Sequence, residues 1–460
     1  MKEEKKRFFL RLIKLFNVVL MTIPFGFIWR SYYEKLIYSN SGMFEDWGII
    51  ALFVLLYFVF ARVYDVFLVS LYRISEMIYS QVLAVAVTDG FIYLVICLLM
   101  RAFANILPGC AVLVVQCLLA AGWSVCSHKW YYLVSDPKKS AVIHERGRGL
   151  DGFISAYGME KKYDVSSVLT VEECVQDLSL LDGFETVFLD NVHSRERNII
   201  VKYCIEHNIC AYVIPRVGDV IMSGATRMHM FHLPILRVDR YSPNPEYLFI
   251  KRFMDIVFSG IALILLLPVM LITAVAIKAH DHGPVFYKQV RLTKDGKTFE
   301  VLKFRSMNMN AEANGVARLS SGENDPRITP VGHVIRKLRI DELPQLLNIL
   351  EGSMSIVGPR PERPEISEQY EKTLPEFRLR LQAKAGLTGY AQVYGKYNTT
   401  PYDKLKMDLM YIANPSIWED LMICFATVKI LFMPESTEGI AEDQTTAMAP
   451  EEFVSDEDEK

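Results

Sequence analysis

FMDIVFSGIALILLLPVMLITAVAIKA, residues 253–279, contains enough apolar residues to cross a bilayer, and the path it takes decides the fold. Positive charge flanks it on both sides, with Lys251 and Arg252 before it and Lys278, Lys288 and Arg291 after it. A spanning helix shows a one-sided bias. Pro268 sits mid-run, where it removes a helix hydrogen bond and bends the axis. Together these features predict a re-entrant helix that enters the membrane, breaks at Pro268 and leaves on the same side. Residues 280–432 then stay in the cytoplasm.

Upstream lie four further apolar stretches, near 12–29, 48–64, 79–100 and 106–126, each close to the length a helical span needs. The first lacks a small-residue cleavage site and reads as a retained anchor. Lys2, Lys5, Lys6, Arg7, Arg11 and Lys14 precede it, Arg62 and Arg73 lie between the second and third spans, and Lys129, Lys138 and Lys139 follow the fourth. The positive-inside rule therefore returns the chain to the cytoplasm. Asp89, in the third span, is expensive in lipid and is expected to face the bundle as a structural partner. From Trp130 to about Asn244 short apolar runs (YYLV at 131–134, ETVFLD at 185–190, CAYVIP at 210–215) alternate with amphipathic stretches such as RERNIIVKYCIEH. That pattern predicts a small Rossmann-like βαβ domain with a parallel sheet. The turn after YYLV is SDPKKS and carries no GxGxxG, so a scaffold or dimerisation role is expected in place of nucleotide binding.

The expected fold is an α/β membrane protein. It comprises a four-helix transmembrane bundle (1–128), a cytoplasmic βαβ domain (129–248), a mainly helical monotopic catalytic domain (249–433) and an acidic, disordered tail (434–460). Composition agrees: 51% hydrophobic and 22% charged residues, with a mean hydropathy of +0.19, are too apolar for an ordinary soluble enzyme and too charged for an all-membrane chain. The net charge of -3 hides a basic N-terminus and an acidic C-terminus, and no nucleic-acid partner is expected. The eight cysteines include no CxxC pair and read as small core residues in a reducing compartment.

The chemistry is carried by RIDELPQLLNIL, residues 339–350, where Asp341 and Glu342 stand side by side ahead of Pro344. Adjacent carboxylates on a helix point about 100° apart and suit two separate jobs, one attacking phosphorus and the other holding a divalent metal. Pro344 favours a helix start, and the free N–H groups of a first turn attract phosphate. An isolated Asp-Glu pair would ordinarily only decorate a helix N-terminus. Its surroundings argue otherwise: GPVFYKQVR at 283–291, KTFEVLKFRSM at 297–307, SIVGPRPERPE at 355–365 and AGLTGYAQVYGK at 385–396 form one ordered series of rigid, cation-bearing turns. Lys303 and Arg305 alternate with apolar neighbours, so both charges are expected on one face of a strand. Arg360, between Pro359 and Pro361, presents a planar fork on a stiff backbone. His280, Asp281 and His282 are too close on one turn to converge on a metal.

Residues 251–432 resemble the bacterial sugar transferases, the polyprenyl-phosphate phosphoglycosyl transferases of the monotopic superfamily. The likeness runs from KRFMD through GPVFYKQ, KFRSM, DELPQLLNIL, VGPRPE and GLTGYAQV to DLMYIANPSIWEDL. The preceding spans and βαβ domain look like the large undecaprenyl-phosphate galactose or glucose phosphotransferase subgroup. The resemblance implies that Asp341 attacks the β-phosphate of a UDP-sugar, expelling UMP, and that undecaprenyl phosphate then takes the phosphosugar. It implies Mg2+ on Glu342, and substrate contacts from Lys303, Arg305, Arg360, Glu362, Lys396 and Asp408. It further implies a homodimer in the bacterial inner membrane, multi-pass, with termini and catalytic domain cytoplasmic, acting at the first membrane step of exopolysaccharide, capsule or O-antigen synthesis. Two positions depart from many relatives. Leu267 stands where a Ser often precedes the kink proline, and Lys396 stands where Arg is common, keeping the charge but losing the bidentate fork. A silent membrane scaffold is disfavoured by the intact Asp341, Glu342 and Arg360. A transporter is disfavoured by the absence of an internal repeat and by a single acid at membrane depth in the N-terminal spans.

Overall fold

The computed structural model describes residues 2–37, 43–70, 72–145, 154, 159–241, 243–309, 325, 327–395 and 399–431. Most of the loop 308–325, Lys396 and the acidic tail lie outside the described residues. The chain divides into two compact units, Met1–Ile214 and Pro215–Lys460.

In the first unit, helices α1 (Lys2–Ile28), α2 (Met43–Val63), α3 (Ile74–Met100) and α4 (Leu107–Val134) correspond to the four expected apolar stretches. Three of them fall in segments long and apolar enough to cross a membrane, while the apolar part of α2, Trp47–Val63, is shorter. One polar chain links all four: Tyr57 donates to Asn17 Oδ1 (2.7 Å), Gln81 Nε2 to the Tyr57 hydroxyl (3.3 Å), and Ser124 to Gln81 Oε1 (3.3 Å). Interhelical bonds of this kind join helices where lipid offers no hydrophobic drive. Asp89 Oδ2 is buried without a hydrogen-bond partner among the described residues.

The βαβ expectation holds for the middle of the chain, with one correction. Strands β1 (Lys138–His144), β2 (Tyr163–Thr170), β3 (Thr186–Asp190) and β4 (Cys210–Val213) form a wholly parallel sheet in the order β2-β1-β3-β4. ETVFLD and CAYVIP supply β3 and β4, and RERNIIVKYCIEH forms α6 (Ser194–Glu206), following the short α5 (Val171–Gln176). YYLV is not a strand; it is the last turn of α4, and the first strand is KKSAVIH. A four-residue apolar run has no period of its own, so the 24 helical residues ahead of it decide its state.

The second unit begins earlier than residue 249. Helix α7 (Val217–Ser223) buries Val217 and Val220 in the core built by Val357, Ile366, Tyr370, Phe377, Leu405, Leu409 and Ile412, and the hairpin β5 (Thr226–Met230) and β6 (Leu233–Arg237) follows it. Helix α8 (Pro245–Asp281) runs 37 residues without interruption, with Pro268 inside it. The expected break at Pro268 is therefore absent from the hydrogen-bonded helix. What α8 does show is attachment along its length. Near its start, Lys251 Nζ bonds Asp420 (3.0 Å) and the Tyr411 hydroxyl (3.1 Å), both buried. Arg252 donates to the carbonyls of Ile349 (2.6 Å) and Leu350 (2.7 Å), and Asp255 accepts from the Ile356 N–H (3.0 Å). Further along, Leu263, Met270, Ala274 and Ile277 pack against Phe304, Ile335, Ile340 and Leu343. At its end Asp281 pairs with Arg305. The opposite face leaves Ile264, Leu265, Leu271, Ile272 and Val275 exposed.

The remaining elements frame the site. The antiparallel pair β7 (Phe286–Leu292) and β8 (Thr298–Phe304) carries Lys303 opposite Tyr287. Helices α9 (Pro330–Lys337) and α10 (Gln345–Glu351) flank the Asp-Glu turn. Strands β9 (Ser355–Val357) and β10 (Gly386–Thr388) pair in parallel, and beside them Gly358 comes so near the backbone of Lys384 that a Cβ would lie 2.2 Å from its carbonyl oxygen. Helices α11 (Pro364–Thr373), α12 (Tyr390–Tyr394), α13 (Pro401–Ala413) and α14 (Ile417–Leu431) complete the unit.

Breaking the Lys251–Asp420 pair leaves a buried ammonium uncompensated, at a cost of about 3–5 kcal/mol. Asp420→Ala is therefore expected to lower the melting temperature of the detergent-solubilised protein by roughly 10 °C, at roughly 2–4 °C per kcal/mol for a unit of this size. A shift under about 2 °C would show that the attachment at the start of α8 carries little of the fold.

Candidate active site

Asp341 and Glu342 occupy a single 3-10 turn, Ile340–Glu342, between α9 and α10. Arg339, two residues past the end of α9, caps the start of this turn in the left-handed region (φ 53°), which turns the chain sharply and presents the two acids one after the other. A non-glycine residue in that region carries strain of about 1–3 kcal/mol and persists only where the surroundings fix it. On the far side the turn is held by Asn348, buried on α10. Its Oδ1 accepts from the Leu302 N–H and its Nδ2 donates to the Glu300 carbonyl, both at 2.9 Å. The helix that follows the acids is thereby stitched to β8, the strand that carries Lys303.

The two carboxylates have opposite surroundings. Glu342 Oε1 accepts from Lys303 Nζ and from Arg360 Nη2, each at 3.1 Å, and its side chain is 14% exposed. Burial pushes the Glu342 carboxyl up, but the charges of Lys303, Arg360 and Arg339 overturn this and hold it well below the usual carboxylate range. Asp341 accepts no hydrogen bond from the described residues. Burial, followed by the charge of Glu342, raises its carboxyl from 3.8 to about 6. Adjacent acids driven apart in this way take different roles. Glu342 is the fixed anion, and Asp341 is the more basic carboxylate.

The other expected site residues divide. Lys303 and Arg360 converge on Glu342, whereas Arg305 does not. Strand β8 ends at Phe304, the Arg305 backbone N–H donates to the Val285 carbonyl, and its guanidinium, 8% exposed, pairs with Asp281. Lys303 and Arg305 thus take different partners, Glu342 for one and Asp281 for the other. Glu362 lies 3.7 Å from Arg291 and 3.8 Å from Arg380. Asp408 is buried, 1% exposed, and its Oδ2 accepts from the Arg380 Nε (2.8 Å) and Nη2 (2.7 Å). Burial raises its carboxyl despite that partner. Lys396 lies outside the described residues. Neither Arg380 nor Asn348 was singled out by the sequence, and Arg291 stood out only as a flanking charge and part of a cation-bearing turn. Arg380 sits in PEFRLRLQ among other charged residues, with no motif around it to single it out, and the pairing with Asp408 is what reveals it.

For a divalent cation, the adjacent carboxylates Asp341 and Glu342 offer hard oxygen donors, and Glu342 Oε2 is free of the two cations on Oε1. No group of three or more acidic, His or Cys side chains placed to hold a metal occurs among the described residues. That set fits Mg2+, which binds through one or two carboxylates and completes its shell with water and substrate phosphate.

Residues 246–434 match the family model for bacterial sugar transferases. A UDP-glucose:undecaprenyl-phosphate glucose-1-phosphate transferase of Caulobacter vibrioides is 39% identical over 191 residues, covering 40% of this chain and 71% of the relative. The chain belongs to the bacterial sugar transferase family. Within the family it is 40% identical over 231 residues to a UDP-N-acetylgalactosamine-undecaprenyl-phosphate N-acetylgalactosaminephosphotransferase of Aeromonas hydrophila, covering 50% of this chain and 53% of that one. It is 31% identical over 316 residues to an undecaprenyl-phosphate galactose phosphotransferase of Salmonella typhimurium, 64% of each. That last alignment is longer than the second unit, so the likeness to the large subgroup reaches into the first. The chain spans about half the length of several of the curated relatives it matches.

Because the Asp341 carboxyl lies higher in the folded chain than the ordinary 3.8, ionising it opposes folding as pH rises from about 4 through about 6. Asp341→Asn is expected to raise the melting temperature at pH 8, and the gain should vanish below about pH 4, where the native acid is neutral too. Melting curves of both proteins across that range check the sign; equal stability at pH 8 would mean Asp341 is not desolvated as described.

Proposed function

We propose that this chain is a membrane phosphoglycosyl transferase that moves a sugar-1-phosphate from a UDP-sugar to undecaprenyl phosphate. The observation that carries this reading is the division between the two acids: Glu342 is tied down by Lys303 and Arg360, while Asp341 accepts no hydrogen bond from the described residues and is raised to about 6. An Asp341 oxygen attacks the β-phosphorus of the donor, forming an aspartyl-phosphosugar as the bond to the departing UMP breaks. A phosphate oxygen of undecaprenyl phosphate then attacks the same phosphorus, the bond to Asp341 breaks, and a polyprenyl-diphospho-sugar leaves. Lys303 and Arg360, already directed at Glu342, supply positive charge where the phosphate oxygens would lie. Mg2+ would be held by Glu342 together with donor phosphate oxygens, where it neutralises their charge. The relatives named above act on UDP-sugars, galactose or undecaprenyl phosphate, which supports the substrate class.

The attachment of α8 bears on where this happens. Both ends of the helix are fixed to the same unit, through Lys251 and Arg252 at one end and Asp281 at the other, while a stripe of large apolar side chains faces away. A straight transmembrane path would carry one of those ends, with its polar partners, across the hydrocarbon. We therefore propose that α8 lies against the membrane as a re-entrant or interfacial helix and rests the catalytic unit on the cytoplasmic face of the inner membrane. Trp418, half exposed on α14, suits the headgroup level. The lipid phosphate and the soluble nucleotide then meet at one boundary, at a step that begins assembly of a surface glycan.

Incubation of the purified full-length protein with Mg2+, undecaprenyl phosphate and a panel of UDP-sugars is expected to release UMP with one donor, and Asp341→Asn to abolish release. Silence with every UDP-sugar would overturn the reading. Single-turnover UMP release should fall as pH drops through about 6, following protonation of Asp341. A rate that stays flat down to pH 4.5 would remove Asp341 as the nucleophile.

A further inference from the structure

The loop Gly358–Arg363, GPRPER, delivers Arg360 to Glu342, and its backbone is fixed to an unusual degree. Four successive carbonyls each accept a hydrogen bond from a separate donor. Pro359 O accepts from the Gly386 N–H (2.9 Å) and Glu362 O from the Leu292 N–H (2.9 Å). The two between them are taken by arginine side chains: Arg360 O by Arg380 Nη2 (2.9 Å) and Pro361 O by Arg291 Nη1 (3.1 Å). Pro359 and Pro361 have no N–H to contribute and hold φ near -65°, so within the loop these carbonyl contacts do much to set its path, alongside the bond from the Gly358 N–H to the Thr388 carbonyl (2.9 Å).

Each arginine is itself immobilised. Arg380, 5% exposed, spends Nε and Nη2 on Asp408, while Nη1 lies 3.8 Å from Glu362. Arg291 donates Nε and Nη2 to Gln289 Oε1 (3.1 and 2.6 Å) and lies 3.7 Å from the other oxygen of Glu362. Glu362 thus sits between two cations that grip the carbonyls on either side of Pro361. A planar guanidinium can engage a carboxylate with one edge and a carbonyl with another at the same time, which an ammonium cannot do in the same geometry.

We propose that Arg380, oriented by Asp408, and Arg291, oriented by Gln289, are positioning residues that fix the GPRPER backbone so that the Arg360 guanidinium reaches Glu342. This rests on the function proposed above only for its kinetic consequence; the positioning itself is a property of the fold. It gives Asp408 a role through Arg380 and Arg360 without substrate contact.

The test uses the full-length protein in nanodiscs with R380K, R360Q and the double variant, and D408N as a second way to disturb Arg380 should R380K fail to fold. Hydrogen exchange of peptides spanning residues 358–363 reads the loop directly, and UMP release reads its consequence. R380K is expected to speed exchange at the Arg360 and Glu362 amides about ten-fold and to lower kcat for UMP release by roughly ten- to a hundred-fold, the scale of an ångström-sized misplacement. The double variant should be no slower than R360Q alone, because Arg380 acts only through Arg360. Unchanged loop exchange in both R380K and D408N, or a double variant carrying the full product of the single losses, would overturn the proposal. A wild-type protein that releases no UMP, yet whose loop loosens in R380K, would sink the proposed function and leave the positioning intact.

Discussion

The carboxylate of Glu342 is the point on which three separate pieces of the catalytic unit close. Lys303 comes from strand β8, Arg360 from the GPRPER loop and Glu342 from the turn after α9, and the two cations meet on one oxygen. A buried anion is tolerated only when its partners satisfy it, so each piece is constrained by the other two. Asn348 stitches the helix after the turn to β8, and Arg380 and Arg291 hold the loop. The neighbouring Asp341 takes the opposite state for the same reason. Glu342 has claimed the available donors, leaving Asp341 desolvated beside a permanent negative charge.

That arrangement is costly in isolation and becomes useful next to phosphate. An anionic donor brings negative charge toward a site already holding Glu342, so the cations have to be fixed beforehand instead of recruited on binding. Preorganised charge of this kind is the usual source of large rate effects. The membrane sets a second constraint. A helix with a broad exposed apolar face needs lipid, while Lys251, Arg252 and Asp281 tie both its ends to polar partners in one unit. The proposed resting of α8 on the bilayer surface would satisfy both requirements with the same element.

Much of this is visible in the chain before it folds. The apolar stretches, the alternation of ETVFLD and CAYVIP with RERNIIVKYCIEH, and the DELPQLLNIL segment each carry a period or a punctuation that fixes local structure. YYLV had neither and took the state of the helix before it. The same limit applied to side chains. Lys303 and Arg305 look equivalent in KFRSM, yet β8 ends at Phe304, and Asp281, 24 residues earlier, captures Arg305.

What the sequence determined by itself is which segments are apolar, that ETVFLD and CAYVIP are strands, and which two acids stand side by side, because periodicity and residue type act over a few neighbours. Tertiary structure alone decided that Glu342 is the acid held by Lys303 and Arg360 while Asp341 accepts no hydrogen bond among the described residues, that Arg380 pairs with Asp408 and donates to the Arg360 carbonyl, and that Val217 and Val220 belong to the C-terminal unit. Those outcomes depend on contacts between residues tens of positions apart. Only the packed backbone brings them within the few ångströms at which charge and hydrogen bonding act.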